Sequence, residues 1–397
     1  MKAVRLDSPR AWVVAVAVAL ANGTAFGTAY TFGTFFDSMA TEFGANRGST
    51  AIIFGITLLF FFGFGVISGP LGDRVGAHRL LGLGGTIFVV GLLATSRVHN
   101  LYLGYLTYGT GVGLGSGMFT APLTATVGRL FVKRRTVALG VVAAGNGCGT
   151  LLLVPLSQRL IRDHGWRTTY VTLAVIAAVV FTLAVPAVRV PMVAGQTAAA
   201  SVAARLRVSL GLLRDRFFAT MFAATTLMSV GLFIAFGFIV TFAKDEGVAS
   251  DRASRLMSIV GLASIGGRLL LTAISGRLGA VRMFQVALGI QPFAYVVWLL
   301  AGGNYRLLLV FVVMLGVSYG GFVAIGPEVL IGRFGTDGLG TRMGTNFLSF
   351  GIGGLIGPPL AGWVADATNG RVVPICLTIG LVTVAFGLAT RLDARRV

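Results

Sequence analysis

The chain has 397 residues, of which 55% are hydrophobic and 11% charged, and its formal net charge is +19. A soluble domain carries roughly 25% charged residues, so the composition excludes a water-exposed globular surface and predicts one that faces lipid. The basic residues interrupt long apolar runs without forming a continuous patch, so the positive charge does not indicate nucleic-acid binding.

The apolar runs predict an all-α membrane protein with twelve transmembrane helices, since a span needs about 20 apolar residues. In chain order the predicted spans are 11–36, 50–71, 80–96, 101–127, 137–157, 169–188, 217–242, 254–275, 284–301, 307–331, 346–364 and 372–390. The first run is too long for the apolar core of a cleavable signal peptide. Cys148 and Cys376 fall inside apolar runs, so we expect two buried thiols and no disulfide framework.

The distribution of Lys and Arg predicts the orientation in the membrane. Of the 32 basic residues, 21 fall on one side of the predicted spans, 10 fall on the other, and Arg268 lies inside a span. Both termini are therefore predicted to be cytoplasmic. Arginine outnumbers lysine by 29 to 3, as in GC-rich bacterial genomes, and on this basis we assign the inner membrane.

The chain divides into two similar halves. Residues 1–188 form the first predicted six-helix half and 217–397 the second, with a central cytoplasmic loop at 189–216. Within that loop, 205–216 alternates arginine with leucine and valine, which predicts an amphipathic helix on the membrane surface. Residues 69–79 and 272–282 share Arg, Gly, Ala and Arg at an offset of 203 positions. Several further matches at an offset of 204 support an internal repeat.

The loop Gly69–Arg79 resembles the signature loop of the major facilitator superfamily. Its glycines, Gly69 and Gly76, allow a tight turn. Asp73 can accept hydrogen bonds from a helix N-terminus in the other half and from a nearby arginine such as Arg74. These four residues are predicted to form a cytoplasmic gate, and the alternative is a solvated turn whose arginines only set the topology. The second copy has Gly276 in place of Asp73, so the gate is one-sided.

Three segments resemble monocarboxylate transporters and their oxalate/formate antiporter relatives. They are Leu130–Gly140, which continues to Gly145 and Gly149; Gly165-Trp166-Arg167; and Gly357–Asp366. The basic residues of the first segment also fit a simple positive-inside cluster, and its glycines fit a close-packing stripe.

Arg268 is the strongest candidate for binding substrate. It precedes the predicted cytoplasmic Arg277 by nine residues, about 13 Å along a helix. A central arginine costs about 2.5–3.5 kcal/mol on insertion scales, so it should face a water-filled cleft, where its planar fork suits a carboxylate. The resemblance implies the same, because an eighth-helix arginine is the carboxylate ligand in that group. The alternative is a structural arginine that bonds helix carbonyls.

The other predicted binding residues are Tyr30, Asn22, Asn146, Phe119 and Tyr319. Phe119 stands three positions before Pro122, where many bacterial relatives carry tyrosine. Each polar candidate could instead form an interhelical hydrogen bond. Glu328 is the carboxylate placed within a span, and it either carries a coupled proton, since burial raises a carboxylate pKa, or pairs with Arg333 at the cytoplasmic end.

Two departures from the group bear on the substrate. Ser264 stands where animal monocarboxylate transporters carry aspartate, which leaves proton coupling open. Predicted span 346–364 lacks the second cation of oxalate-type members, which favours a singly charged anion.

The sequence therefore predicts a secondary transporter that moves a small monocarboxylate anion by alternating access, coupled to H⁺. We expect a monomer in the bilayer that needs no cofactor or metal. A drug efflux antiporter of the same fold is the main alternative. An enzyme is disfavoured because clustered His, Asp, Glu or Cys are missing from the predicted spans.

Overall fold

The computed structural model describes residues 6–190, 211–335, 339–368 and 370–393. Residues 205–210 of the predicted amphipathic helix at 205–216 therefore lie outside the described residues. Within them the chain is helical, with short turns and no strand. The helices of the first part are α1 (Pro9–Tyr30), α2 (Phe32–Phe43), α3 (Arg47–Gly63), α4 (Gly65–Val75), α5 (Ala77–Thr95), α6 (Leu101–Gly104), a π-helix (Tyr105–Val112), α7 (Gly113–Leu130) and α8 (Arg135–Ala187). Those of the second part are α9 (Arg216–Asp245), α10 (Ser250–Leu278), α11 (Ala280–Ala301), α12 (Tyr305–Phe334), α13 (Leu339–Thr368) and α14 (Val372–Ala389).

Several helices begin at a side chain that satisfies a backbone N–H left free in the first turn. Ser49 N–H donates to the Asn46 side chain (2.7 Å), Leu103 N–H to that of Asn100 (2.9 Å) and Phe218 N–H to that of Asp215 (2.9 Å).

Ten helices of the described chain are long and apolar enough to cross a membrane. One of them, Val137–Ala187, has 51 residues and is interrupted at Gly165, whose φ of 78° and ψ of 164° end one helix and begin the next. We assign two crossings to this helix and one to α6, the π-helix and α7 together. On this assignment the described residues accommodate the twelve predicted crossings.

The turns between consecutive spans lie at the two ends of the bundle. One end, called the terminal end, holds residues 6–10, Ala389 and the turns at Gly76 and Gly279. The opposite end holds residues 37–48, 244–252 and 366–371. Gly76 (φ 88°, ψ 136°) and Gly279 (φ 88°, ψ 145°) are paired by the internal repeat and share nearly the same backbone conformation, which non-glycine residues rarely adopt.

Helices of the first part pack against helices of the second along the middle of the bundle. α3 packs against α13, the first portion of α8 against α10, and α2 against α9. Both thiols, Cys148 and Cys376, are free and exposed on the surface of the bundle. The expectation of buried thiols is wrong, because an apolar run in a membrane helix includes its lipid-facing side as well as its core.

Glycines bring α1 and α8 into backbone contact. A Cβ on Gly145 would lie 2.7 Å from the Ala19 carbonyl carbon, and one on Gly149 would overlap the Gly23 carbonyl. Of the predicted stripe, Gly145 and Gly149 make this contact, whereas Gly140 has open space around its Cα.

We therefore expect Gly149→Ala to lower stability, because a methyl group would force the two backbones apart. Overpacking typically costs about 1–3 kcal/mol, which should appear as a lower thermal unfolding temperature of the detergent-purified protein. Gly140→Ala is the matched control in the same helix and should leave that temperature unchanged. Equal temperatures for both variants would contradict the packing described.

Candidate functional site

A narrow cavity lies between α1, α8, α9, α10 and α12, with a volume of about 10 Å³, room for about one water molecule. It brings together four of the predicted binding residues, Arg268, Tyr30, Asn146 and Tyr319. The remaining lining is Phe26, Gly147, Thr150, Phe236, Met257, Val260, Gly261 and Ser264. We call it the Arg268 cavity, since Arg268 is the one charged side chain among these residues.

Arg268 both faces the cavity and reaches across to the other half. Its Nη1 donates to the carbonyl oxygen of Ala143 on α8 at 2.7 Å, and its guanidinium carbon lies 5.8 Å from the centre of the Tyr319 ring. Its Nε is buried without a hydrogen-bond partner. The guanidinium is thus held by one helix carbonyl, as the alternative interpretation required, and still has an unused donor for a ligand.

An aromatic cluster joins the halves beside Arg268. The hydroxyls of Tyr30 and Tyr319 lie 3.5 Å apart, and the Phe236 ring packs edge-on against both, at 4.9 and 5.5 Å between centroids. Both tyrosines are nearly buried, with 5% and 7% exposed. One hydroxyl donates to the other, so the site offers the guanidinium and one hydroxyl as donors between apolar walls, which suits a small anion.

Two predicted binding residues lie away from this cavity. Asn22 is buried and donates from Nδ2 to the Thr124 hydroxyl at 3.2 Å, as an interhelical hydrogen bond would. Phe119 is fully buried and packs edge-on against Phe181 at 5.1 Å, inside the first half.

Glu328 also lies outside the lining of the Arg268 cavity. Its Oε2 accepts a hydrogen bond from the Ser275 hydroxyl on α10 at 2.9 Å. In the described part of the chain no ion pair joins it to Arg333, whose guanidinium instead lies over the rings of Phe217 and Phe334 at 5.6 and 5.8 Å. Glu328 is thus a half-buried carboxylate near the terminal end, linked to the helix that carries Arg268.

The predicted gate loop is mostly helical. Gly69 belongs to α4, which continues to Val75, and the turn is formed by Gly76 alone. The side chains of Asp73 and Arg74 lie outside what the structure describes, so their proposed gate contacts stay a prediction.

The sequence reasoning missed a set of polar contacts at the opposite end. They are Lys244–Asp37 (3.4 Å), Arg47–Asp245 (3.1 Å), Arg162–Asp251 (2.9 Å), Arg371–Glu246 (3.1 Å), Arg371–Asp245 and Arg167–Glu42. The first three join the two halves. Asp366 adds a further link, because its Oδ2 accepts from the Gly48 N–H at the start of α3 (3.2 Å). Opposite charges at the predicted helix ends were the available signal, but their pairing depends on tertiary structure.

Known proteins share this architecture. The family model of the Major Facilitator Superfamily matches residues 18–303. The chain is 31% identical to monocarboxylate transporter 4 of Rattus norvegicus, covering 91% of this chain and 79% of the relative. It is 25% identical to the aspyridones efflux protein apdF of Emericella nidulans, over 91% of this chain and 73% of that relative. Its fold matches the crystal structure of the nucleoside transporter NupG with a TM-score of 0.78 and 14% sequence identity. The match covers 97% of this chain and 99% of the NupG chain.

The matched family and the transporter relatives show that the chain is a polytopic membrane carrier and not an enzyme. The chain belongs to the Major Facilitator Superfamily, and the predicted resemblance to the monocarboxylate transporters is confirmed.

Proposed function

We propose that this protein is a secondary active transporter that moves a small monocarboxylate anion across the inner membrane by alternating access, coupled to protons. The observation that carries the proposal is the Arg268 cavity, whose described lining holds one charged side chain, a cation. The monocarboxylate transporter relatives support the same substrate class.

The charge balance favours a single carboxylate. One arginine neutralises one negative charge, whereas a dianion would keep an uncompensated charge in a low-dielectric site. A carboxylate at Arg268 can accept from the free Nε and a terminal nitrogen in a bidentate pair. One of the Tyr30 and Tyr319 hydroxyls donates to the other, so the pair can supply one further donor.

The opposite end supports alternating access. The ion pairs Lys244–Asp37, Arg47–Asp245 and Arg162–Asp251 hold the halves together there. We propose that 1–188 and 217–397 rock against each other, with 189–216 as their connection, and that these pairs open and close the opposite end. The protein would do this as a monomer.

Asp245→Asn should weaken closure of the opposite end, because Asp245 accepts from both Arg47 and Arg371. The readout is labelling of Phe36→Cys, which replaces a buried residue packed 5.2 Å from Phe238 of the other half, in a background with Cys148 and Cys376 changed to Ser. Maleimide added at the opposite end should react about 3-fold to 10-fold faster, as expected for loss of about 1 kcal/mol of ion-pair energy. Glu42→Gln is the control, because the ion pair of Glu42 joins it to Arg167 of the same half. Unchanged labelling in Asp245→Asn would exclude the gate role.

We further propose that the termini and the central loop are cytoplasmic. In intact cells an impermeant maleimide should label Asp163→Cys and Asp251→Cys, and should miss Arg207→Cys. External labelling at position 207 would overturn this orientation.

An efflux antiporter for amphipathic compounds is the second candidate. The similarity to aspyridones efflux protein apdF favours it, as do the aromatic walls of the Arg268 cavity. A cation at the centre of the site argues against cationic drugs, so an efflux substrate would also be an acid.

The test is uptake into proteoliposomes. We expect accumulation of labelled monocarboxylates, faster with an acidic exterior, and no accumulation of oxalate. Transport of neutral or cationic drugs without monocarboxylate uptake would overturn the proposal.

A further inference from the structure

The core of the second half contains a row of buried polar side chains on α11. Gln291, Tyr295 and Trp298 share one face of this helix, because they are four and three residues apart. Their exposed fractions are 0%, 0% and 2%. Trp298 stacks on Phe311 of α12 at 4.8 Å and packs edge-on against Phe242 of α9 at 5.4 Å. The polar row of α11 therefore faces the interior of the second half and not the lipid.

Four polar atoms of this row have no hydrogen-bond partner among the described residues. They are both side-chain amide atoms of Gln291, the hydroxyl of Tyr295 and the indole nitrogen of Trp298. Folded proteins satisfy nearly all buried polar groups, either with protein groups or with ordered water. Four unsatisfied atoms on one face of one helix therefore indicate a common partner that the described side chains do not supply.

The Tyr295 hydroxyl lies where α9, α11 and α14 meet. It is 3.6 Å from the position that a Cβ on Gly231 of α9 would take, and the Thr378 methyl of α14 is 3.3 Å from that same position. The Thr378 hydroxyl donates to the Pro374 carbonyl at 2.8 Å, so its oxygen can still accept a hydrogen bond. A small molecule beside Tyr295 would thus have a further polar group within this junction.

The chemistry of the polar row identifies the class of ligand. An amide, a phenol and an indole offer several N–H and O–H donors and two oxygen acceptors. None of the three carries a charge at neutral pH, and an ion in such a site would keep an uncompensated charge. Water is small, donates and accepts, and typically makes about three hydrogen bonds when buried.

We propose that the second half holds ordered water that bridges Gln291, Tyr295 and Trp298. The water accepts from the indole N–H and the amide N–H groups and donates to the amide oxygen. It lies behind one wall of the Arg268 cavity, because α11 is bonded there to α12. Ser318, the residue before Tyr319, donates to the carbonyl of Ala287 one turn before Gln291, at 2.6 Å.

Radiolytic labelling of the purified wild-type protein tests the proposal. X-ray pulses split water into hydroxyl radicals, which modify the side chains that water touches, and mass spectrometry locates them. Tyr295 should be modified at least about tenfold faster than Tyr108. Tyr108 is the matched control, because it is also 0% exposed but its hydroxyl donates to the Thr28 carbonyl at 2.9 Å. Equal rates for the two tyrosines would overturn the proposal.

Gln291→Leu connects the labelling to the polar row. The substitution keeps the approximate size of the side chain and removes two partners of the water, so modification of Tyr295 should fall at least about threefold. The unfolding temperature should also fall. If Gln291 were dry, removal of an unsatisfied amide would instead raise that temperature. A raised temperature, or unchanged modification of Tyr295, would contradict bound water at this position.

Gln285→Leu is the matched control on the same helix. The Gln285 amide already donates to the carbonyls of Ala389 and Leu392, at 3.0 and 3.1 Å. Its loss should lower the unfolding temperature and leave the modification of Tyr295 as in the wild type. An equal fall of Tyr295 modification in Gln285→Leu would show that general destabilisation explains the effect, and it would overturn the assignment of the water to Gln291.

Discussion

Arg268→Lys is expected to reduce monocarboxylate uptake about a hundredfold while leaving the protein folded in the membrane. Lysine keeps the positive charge but loses the planar fork that binds a carboxylate through two nitrogens. Loss of a desolvated, charge-assisted contact typically costs 2–5 kcal/mol, and each 1.4 kcal/mol is about tenfold. Initial rates of labelled uptake into proteoliposomes give the readout.

This variant separates the two interpretations of Arg268. If its role were only to donate to the Ala143 carbonyl, a lysine ammonium could replace it and transport would persist. Arg277→Lys, at the exposed end of the same helix, is the matched control and should transport normally. Wild-type rates in Arg268→Lys would remove the main support for a carboxylate substrate.

Glu328→Gln is expected to abolish accumulation driven by a pH gradient and to retain counterflow of labelled anion. A monocarboxylate neutralised by Arg268 forms a pair without net charge, so a symported proton needs another acceptor. Ser264 cannot supply it, whereas Glu328 is a half-buried carboxylate bonded to Ser275. Ser275 lies seven residues after Arg268 on α10, about 10 Å along the helix axis, so a change in the protonation of Glu328 would act on the helix that binds substrate.

The comparison between accumulation and counterflow distinguishes a loss of proton coupling from a loss of anion transport. Exchange of labelled for unlabelled anion moves no net proton, so a variant that only lost its carrier should still exchange. Asp163→Asn, which removes an exposed carboxylate at the opposite end, should keep both activities. If Glu328→Gln still accumulates substrate when only a pH gradient is applied, the proton crosses by another path, such as on the substrate as free acid.

The apolar runs were sufficient to predict the helices because the bilayer requires long apolar segments whatever their tertiary contacts. Arg268 was predicted for a related reason, since a charge deep in an apolar run is costly unless it has a function. The contact of Gly145 and Gly149 with α1 likewise fits the close packing that small residues allow.

Side-chain directions were less predictable. Asn22, like Tyr30, lies in the first predicted span, yet Tyr30 lines the Arg268 cavity and Asn22 bonds Thr124 inside the first half. The helix is apolar on all sides, so the sequence does not fix its rotation. Phe119 faces Phe181 for the same reason. The ion pairs that join the halves at the opposite end connect residues 89 to 207 positions apart, such as Arg162 with Asp251 and Asp37 with Lys244, and pairing at such separations is set by the fold.

The central claim, capture of a carboxylate by Arg268, is tested most directly by a binding comparison between an acid and its ester. Isothermal titration of the purified protein with phenylacetate and with methyl phenylacetate compares ligands that share the ring and differ in the charge. We expect the acid to bind and the ester to bind at least about a hundredfold more weakly, with the difference lost in Arg268→Lys. Equal affinities for acid and ester in the wild-type protein would contradict the account.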